Sequence, residues 1–330
     1  MRKIVALTLF GALVAGAALA VPPTVPELLP LVPQEAQVVV AVDAAALRTH
    51  PLVQGWLLDH ADWSNADAAA ARFLAEAGLD PLRDVTAMVV ALVPSGSHGD
   101  PVVFLAGRFD APAIAAALTK RGATPVTLGT VSGLRLPEKD RAGAAAVLAQ
   151  PSPELIVVGS EALVAESLSV KGSTNPLVDT AVGSGQVDPR APFWAVAAIS
   201  AEARQKAADA ASRIQGDSGE PLRQAVMATG VVQKVAVQAF LDDSLRLSGV
   251  AVADTAENAE LLRDTVKGVL AAARLHCQDR APELVGVLRD VQVRAAGSQV
   301  TLAGAVPVAL IEKLIAEHKA NHPCDMASHS

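Results

Sequence analysis

The chain has no tyrosine, and its 330 residues include only 6 phenylalanines and 3 tryptophans. Sugars and single-stranded nucleic acid are usually gripped by stacking on aromatic faces, and tight protein interfaces lean on Tyr and Trp anchors. Both kinds of recognition lose weight. An excess of cations is missing too, since 27 Lys and Arg stand against 34 Asp and Glu, for a formal net charge of -7. Nucleic acid needs clustered cations against its phosphates, and anionic lipid attracts the same groups, so nucleic acid is not expected as a partner. Cysteine is limited to Cys277 and Cys324. What the chain does hold is apolar material: 51% of its residues are hydrophobic, enough to build a sizeable core.

Arg2 and Lys3 form a short positive segment, and Ile4 to Leu19 then run without a charge to Ala18-Leu19-Ala20. That order is the order of a secretory signal with an A-x-A cleavage site. Residues 1–20 are therefore expected to be a signal peptide cleaved after Ala20, with Ala18 and Ala20 as the small residues of the site, and the protein is expected to be periplasmic or secreted. The alternative is retention, with the chain anchored in the inner membrane through residues 4–20; this is the one route by which it would meet a membrane. Cleavage removes two cations and no acid, leaving 25 basic against 34 acidic residues, or -9. Residues 21–35 contain Pro22, Pro23, Pro26, Pro30 and Pro33 and read as an extended, proline-rich spacer.

One pattern recurs beyond the spacer: an apolar strand reaches a small polar residue and turns into a helix. Gln37 to Val42 lead to Asp43, Val102 to Leu105 to Asp110, Leu155 to Gly159 to Ser160, Phe193 to Val196 to Ser200, and Leu247 to Ala253 to Asp254. Asp and Ser at such joints cap helices by accepting orphan N–H groups of the first turn, and Glu257 after Asp254 completes a capping box. Between the helices the chain forms hairpins, the longest being Val85 to Val93 with Pro101 to Phe109, and Val231 to Leu241 with Leu245 to Val252. The fold expected is α+β, an antiparallel or mixed sheet with helices packed on one face.

The order of elements occurs twice. Leu155-Ile156-Val157-Val158-Gly159 leading to Glu166 and Leu168 parallels Val300-Thr301-Leu302-Ala303-Gly304 leading to Glu312 and Leu314. This reads as an internal duplication, with one α+β copy over residues 36–170, a Gly-, Ser- and Pro-rich linker over 171–190, a second copy over 191–320 and a tail over 321–330. In an exported protein the two cysteines are expected to form a disulfide, Cys277 to Cys324. It would close a loop of 46 residues and stabilise by about 3 to 4 kcal/mol in the chain-entropy account.

Leu31-Val32-Pro33-Gln34-Glu35-Ala36, followed by Val38 to Asp43, Leu47 and Pro51-Leu52, with Gly78-Leu79-Asp80-Pro81 and Asp84-Val85 later, resembles the start of uncharacterised exported bacterial proteins with a duplicated α+β domain. The resemblance covers residues 31–110. It implies export and no activity.

No set of residues in the sequence assembles a catalytic, cofactor or metal site. Ser97, His98 and Asp100 crowd one hairpin tip, whereas a nucleophile needs its base held by a separate stretch of backbone. His276, Cys277, His318, His322 and Cys324 could supply zinc ligands, but two cysteines in an oxidising compartment favour the disulfide. Gly159-Ser160-Glu161 lacks the G-x-S-x-G frame of a nucleophile elbow, and Gly183-Ser184-Gly185 lacks the strand and Lys of a phosphate loop. Trp56 and Trp63 read as core. The expectation is a non-enzymatic binding or scaffold module for another envelope protein. Two alternatives stand beside it: a hydrolase with a site assembled from distant residues, and a membrane-tethered carrier of an apolar ligand.

Overall fold

The computed structural model describes residues 21–60, 68–95, 98–137, 146–169, 174–212, 230–278 and 281–321. Its strands are β1 (Val38–Val42), β2 (Val85–Ser95), β3 (His98–Gly107), β4 (Thr124–Leu128), β5 (Val131–Arg135), β6 (Ala146–Ser152), β7 (Leu155–Ser160), β8 (Phe193–Ala198), β9 (Val232–Leu241), β10 (Ser244–Ala253), β11 (Gln292–Ala296) and β12 (Gln299–Pro307). The helices are α1 (Val25–Leu28), α2 (Ala44–Arg48), α3 (Pro51–His60), α4 (Ala68–Ala77), α5 (Pro81–Asp84), α6 (Ala111–Lys120), α7 (Glu161–Ser169), α8 (Pro176–Gly183), α9 (Ala201–Ser212), α10 (Ala256–Cys277), α11 (Pro282–Asp290) and α12 (Val308–Asn321). The fold is α+β, as the pattern of strands and caps leads one to expect.

All of these strands lie in one open antiparallel sheet, in the order β11-β12-β10-β9-β8-β1-β2-β3-β7-β6-β5-β4. Its centre is the seam between β1 and β8, where Val40 stands opposite Ala195 on one side and Val90 on the other. Outward from the seam the order is β1, β2, β3, β7, β6 in one direction and β8, β9, β10, β12, β11 in the other. The hairpin of β4 and β5 extends the first end.

The register assigns each core residue to a face. Val39, Ala91, Val102, Phe104, Val157 and Trp194 share one face with Val25 and Leu28 of α1, Val164 of α7 and Val178 of α8. Leu105, Ile156 and Val158 point the other way, onto Phe73 of α4 and Ile114 and Leu118 of α6. In the second half that same face carries Val235, Val293 and Val300 under Ala259 and Leu262 of α10. Helices therefore cover both faces of the first half, where the sequence pattern placed them on one. The cause is visible in β3 and β7: their central residues are apolar at every position, so both faces need cover.

Two stretches differ from their sequence reading. Residues 25–31 are not extended spacer: α1 and a following 3-10 turn bury Val25, Leu28, Leu29 and Val32 in the core. Residues 176–183 of the supposed linker form α8, whose N-cap Asn175 is 1% exposed. Asn175 Oδ1 accepts from the N–H groups of Leu177 (2.9 Å) and Val178 (3.2 Å), and its amide donates to the carbonyls of Pro33, Gln34 and Ala36 at 2.8 to 3.1 Å. One buried side chain thus caps α8 and fixes the chain entering β1.

The expected caps Asp43, Asp110, Ser160 and Ser200 each accept an N–H from the first turn of the helix that follows. At α10 the cap is Thr255 rather than Asp254. Thr255 accepts from Asn258 N, and Asp254 instead accepts from the Asn258 side chain at 2.7 Å.

Candidate functional site

The open end of the β2–β3 hairpin, where β2 begins and β3 ends, builds a cleft of about 320 Å³, lined by Pro22, Arg48, Arg83, Asp84, Thr86 and Arg108. Each wall has a local cause. Asp80 caps the single turn α5 by accepting from Leu82 N at 3.0 Å, and α5 then presents Arg83 and Asp84. The Arg83 guanidinium donates to both Asp84 oxygens, at 2.8 and 3.2 Å. This fork, joined by the Asp80 N–H and the charge of Arg48, holds the Asp84 carboxyl below the usual carboxylate range against the opposing effect of burial.

Arg48 ends α2 and reaches across to donate to the backbone carbonyls of Arg83 and Val85. Its plane is fixed by those carbonyls, and neither of them carries a charge to offset its own. Arg108 follows β3 directly, with its backbone N–H on Asp84 O at 2.9 Å. Its exposed side chain makes no hydrogen bond or ion pair among the described residues. Thr86 is the extra residue of a β-bulge, lying between the pairs Val85–Gly107 and Ala87–Ala106. Bulges re-aim side chains, and Thr86 Oγ1 sits buried in the cleft wall with no hydrogen-bond partner among the described residues. Gly107 makes the closeness possible: a Cβ there would stand 2.1 Å from Asp84 O and 2.8 Å from the Phe109 ring.

The cleft therefore gathers three guanidinium groups and a hydroxyl around one lining carboxylate, with Arg83 engaged by Asp84, Arg48 by two uncharged carbonyls and Arg108 exposed. A larger groove of about 690 Å³ beside β10 and β12 is lined by a single arginine, Arg246, which is paired with Asp242 at 2.6 Å and stacked on Phe240.

None of the residues of the cleft stood out in the sequence as chemistry. Arg48, Arg83 and Arg108 are separated by 35 and 25 positions and read singly as surface charge. The available signal was Gly78-Leu79-Asp80-Pro81 with Asp84-Val85, the stretch that carries the family resemblance and forms α5. The sequence candidates lie elsewhere. Ser160 caps α7 at 3.5 Å from Leu163 N, and Ser184 Oγ donates to Thr180 O at the end of α8. Asp100 pairs with Val93 in the β2–β3 ladder, and Ser97 lies outside the described residues, as do Trp63, His322, Cys324 and the signal residues Ala18 and Ala20. Of Trp56, His98 and His318 only the backbone is described. Half-buried Cys277 closes α10 beside His276. No described helix is long and apolar enough to cross a membrane.

No protein-family model matches the chain, and no curated protein matches it. Solved structures of TP0453 are similar over most of both chains. Crystal form III gives a TM-score of 0.48 at 10% identity, covering 88% of this chain and 97% of that one. Form I gives 0.41 at 8%, covering 88% and 96%, and form IV gives 0.44 at 9%, covering 87% and 95%. At these values the likeness concerns the course of the chain and carries no function.

Proposed function

We propose that this protein is a non-enzymatic module of the bacterial envelope, exported by residues 1–20 and built from two related halves, that binds an anionic group of another envelope component in the arginine cleft. The observation that carries the reading is the convergence of Arg48, Arg83, Arg108 and the partnerless Thr86 hydroxyl around one carboxylate, on a chain whose net charge is negative. Guanidinium forks match the oxygens of phosphate and carboxylate, and a hydroxyl buried without a partner is costly until something bonds to it. The equal strand order on the two sides of the seam supports related halves. Cleavage after Ala20 would add one more cation, because the new terminus at Val21 neighbours Pro22 on the cleft wall and is 86% exposed.

Inorganic phosphate is the probe. Thermal unfolding is expected to move upward with phosphate relative to chloride of equal ionic strength, as it does for any ligand of the folded state. Arg108→Gln, at an exposed side chain without a partner among the described residues, is expected to remove that response while leaving the melt in chloride unchanged. Equal melting in both anions, or an unaltered response in Arg108→Gln, would remove the reading. N-terminal sequencing of the exported chain is expected to begin at Val21, and a start at Met1 would remove the terminal cation.

A further inference from the structure

The contacts of its two ring nitrogens hold His50 in one protonation state. The residue stands between α2 and α3, and its Nδ1 accepts the N–H of Leu52 at 3.2 Å. Its Nε2 lies 2.8 Å from the carbonyl oxygen of Asp242, in the β9–β10 turn of the other half. An amide N–H can only donate and a carbonyl can only accept, so Nδ1 carries the lone pair and Nε2 the proton. Only the neutral ring satisfies both contacts. The imidazolium, with a proton on each nitrogen, keeps the Asp242 contact and sets a donor against the donor of Leu52.

The contact at Nδ1 is the cap of α3. Pro51 opens that helix and has no N–H, so Leu52 supplies the first N–H in need of a partner. A side-chain acceptor one residue before the helix serves such a donor. Little else ties this start down. None of residues 51–55 is buried, and the other side-chain bond from them to α2, among the described residues, is the exposed one from Gln54 Nε2 to Arg48 O at 3.1 Å. The backbone before the ring is better anchored, through the Arg48 guanidinium on the carbonyls of Arg83 and Val85 and Thr49 Oγ1 on Ala46 O. Charge decides which of the two ring contacts yields. The positive end of α3 meets Nδ1, α3 carries no charged side chain before Asp59, and α2 contributes the cation Arg48. The turn that meets Nε2 carries Asp242 and Asp243 against Arg246, which pairs with Asp242 at 2.6 Å and leaves one carboxylate in excess. A protonated ring is drawn to the turn and pushed from the helix.

We propose that His50 is a proton-operated pin: the neutral ring caps α3 and holds the β9–β10 turn, and the protonated ring keeps the turn and releases the start of α3. Histidine changes charge between about pH 5 and 8, so NMR of the full chain at those two values reads both states. At about pH 8 the long-range 1H–15N spectrum is expected to show the His50 proton on Nε2. At about pH 5 the Leu52 amide proton is expected to move upfield in step with protonation of the ring, and the Cα shifts of residues 51–55 to move toward coil values, while the amides of Asp243 and Ser244 keep their positions. His50→Asn, whose side-chain oxygen accepts an N–H at either pH, is expected to hold the Leu52 amide and the 51–55 shifts constant. A proton on Nδ1 at the higher pH, or a Leu52 amide unmoved while the ring protonates, would overturn the proposal. So would the same acid-induced change in His50→Asn, which would place its cause outside the ring.

Discussion

Asn175 and Glu166 show how much one side chain can decide here. Asn175 spends its oxygen on the first turn of α8 and its amide on three carbonyls of residues 33–36. Asn175→Asp keeps the cap and turns the donors into an acceptor facing three carbonyl oxygens, so it is expected to destabilise at least as much as Asn175→Ala. Either should cost about 3 kcal/mol in urea unfolding at neutral pH, from buried groups left without partners. A small loss in Asn175→Asp would show that the cap alone matters. Glu166 of α7 is pushed above the usual carboxylate range, first by burial and then by the charge and hydrogen bond of Glu35. A raised pKa in the folded state means that the stability from this contact is complete below the ordinary Glu value, and is lost as pH rises through the raised one. Glu166→Gln is therefore expected to melt higher than the parent at pH 7 and to match it near pH 3.5, below the ordinary Glu value of about 4.3. A gain of equal size at both pH values would exclude the carboxyl pair as its source.

Among the elements, strands were the most legible. Hairpins announce themselves through apolar runs separated by Gly, Ser and Asp, and the long β2–β3 and β9–β10 pairs fall where the sequence places them. The short elements rich in proline and small residues were hidden. Val25, Leu28, Leu29 and Val32 follow the i, i+3, i+4, i+7 spacing of a helix face, and Thr24 with Glu27 reads as a capping box, yet five prolines in the segment argue for extended chain. The structure resolves the conflict through position, since Pro26 lies in the first turn, where its missing N–H has no partner to lose. The Glu27 carboxylate accepts from both the N–H and the hydroxyl of Thr24, at 2.7 and 2.9 Å. Leu28 is 0% exposed, so Leu28→Ala is expected to cost about 3 kcal/mol, as buried leucines do. A cost near zero, the value for a solvated spacer, would remove α1 from the core. The cleft was hidden for a different reason: its arginines come together only through the α5 turn, the Thr86 bulge and the close approach at Gly107, none of which has a periodic signature.

At the scale of the whole molecule, the seam between β1 and β8 makes one object of two halves. Contacts beyond the sheet cross between the halves as well: His50 Nδ1 accepts from Leu52 N at 3.2 Å, which leaves Nε2 to donate to Asp242 O at the β9–β10 turn, 2.8 Å away. Asp188 N, in the stretch that joins the halves, donates to the Gln238 side chain of β9 at 2.7 Å. Calorimetry is therefore expected to show a single unfolding transition, and Val300→Ala, at a buried site far from the seam, is expected to lower that transition as a whole rather than split it. Two resolved transitions would mean that the halves melt independently.

The same seam sets the timetable of folding. Val42 and Phe193 are neighbours across it although they stand 151 positions apart in the chain. As the chain is synthesised N-terminus first, β1 can pair with β2 early, while its other edge waits for β8. During that interval Val38, Val39, Val40, Ala41 and Val42 present an unbroken apolar edge with open N–H and C=O groups, the condition under which strands recruit the wrong neighbour. The molecule thus passes through its most aggregation-prone moment while it is being made, and its yield will depend on how quickly the second half follows the first, or on a chaperone that shields β1 until it does.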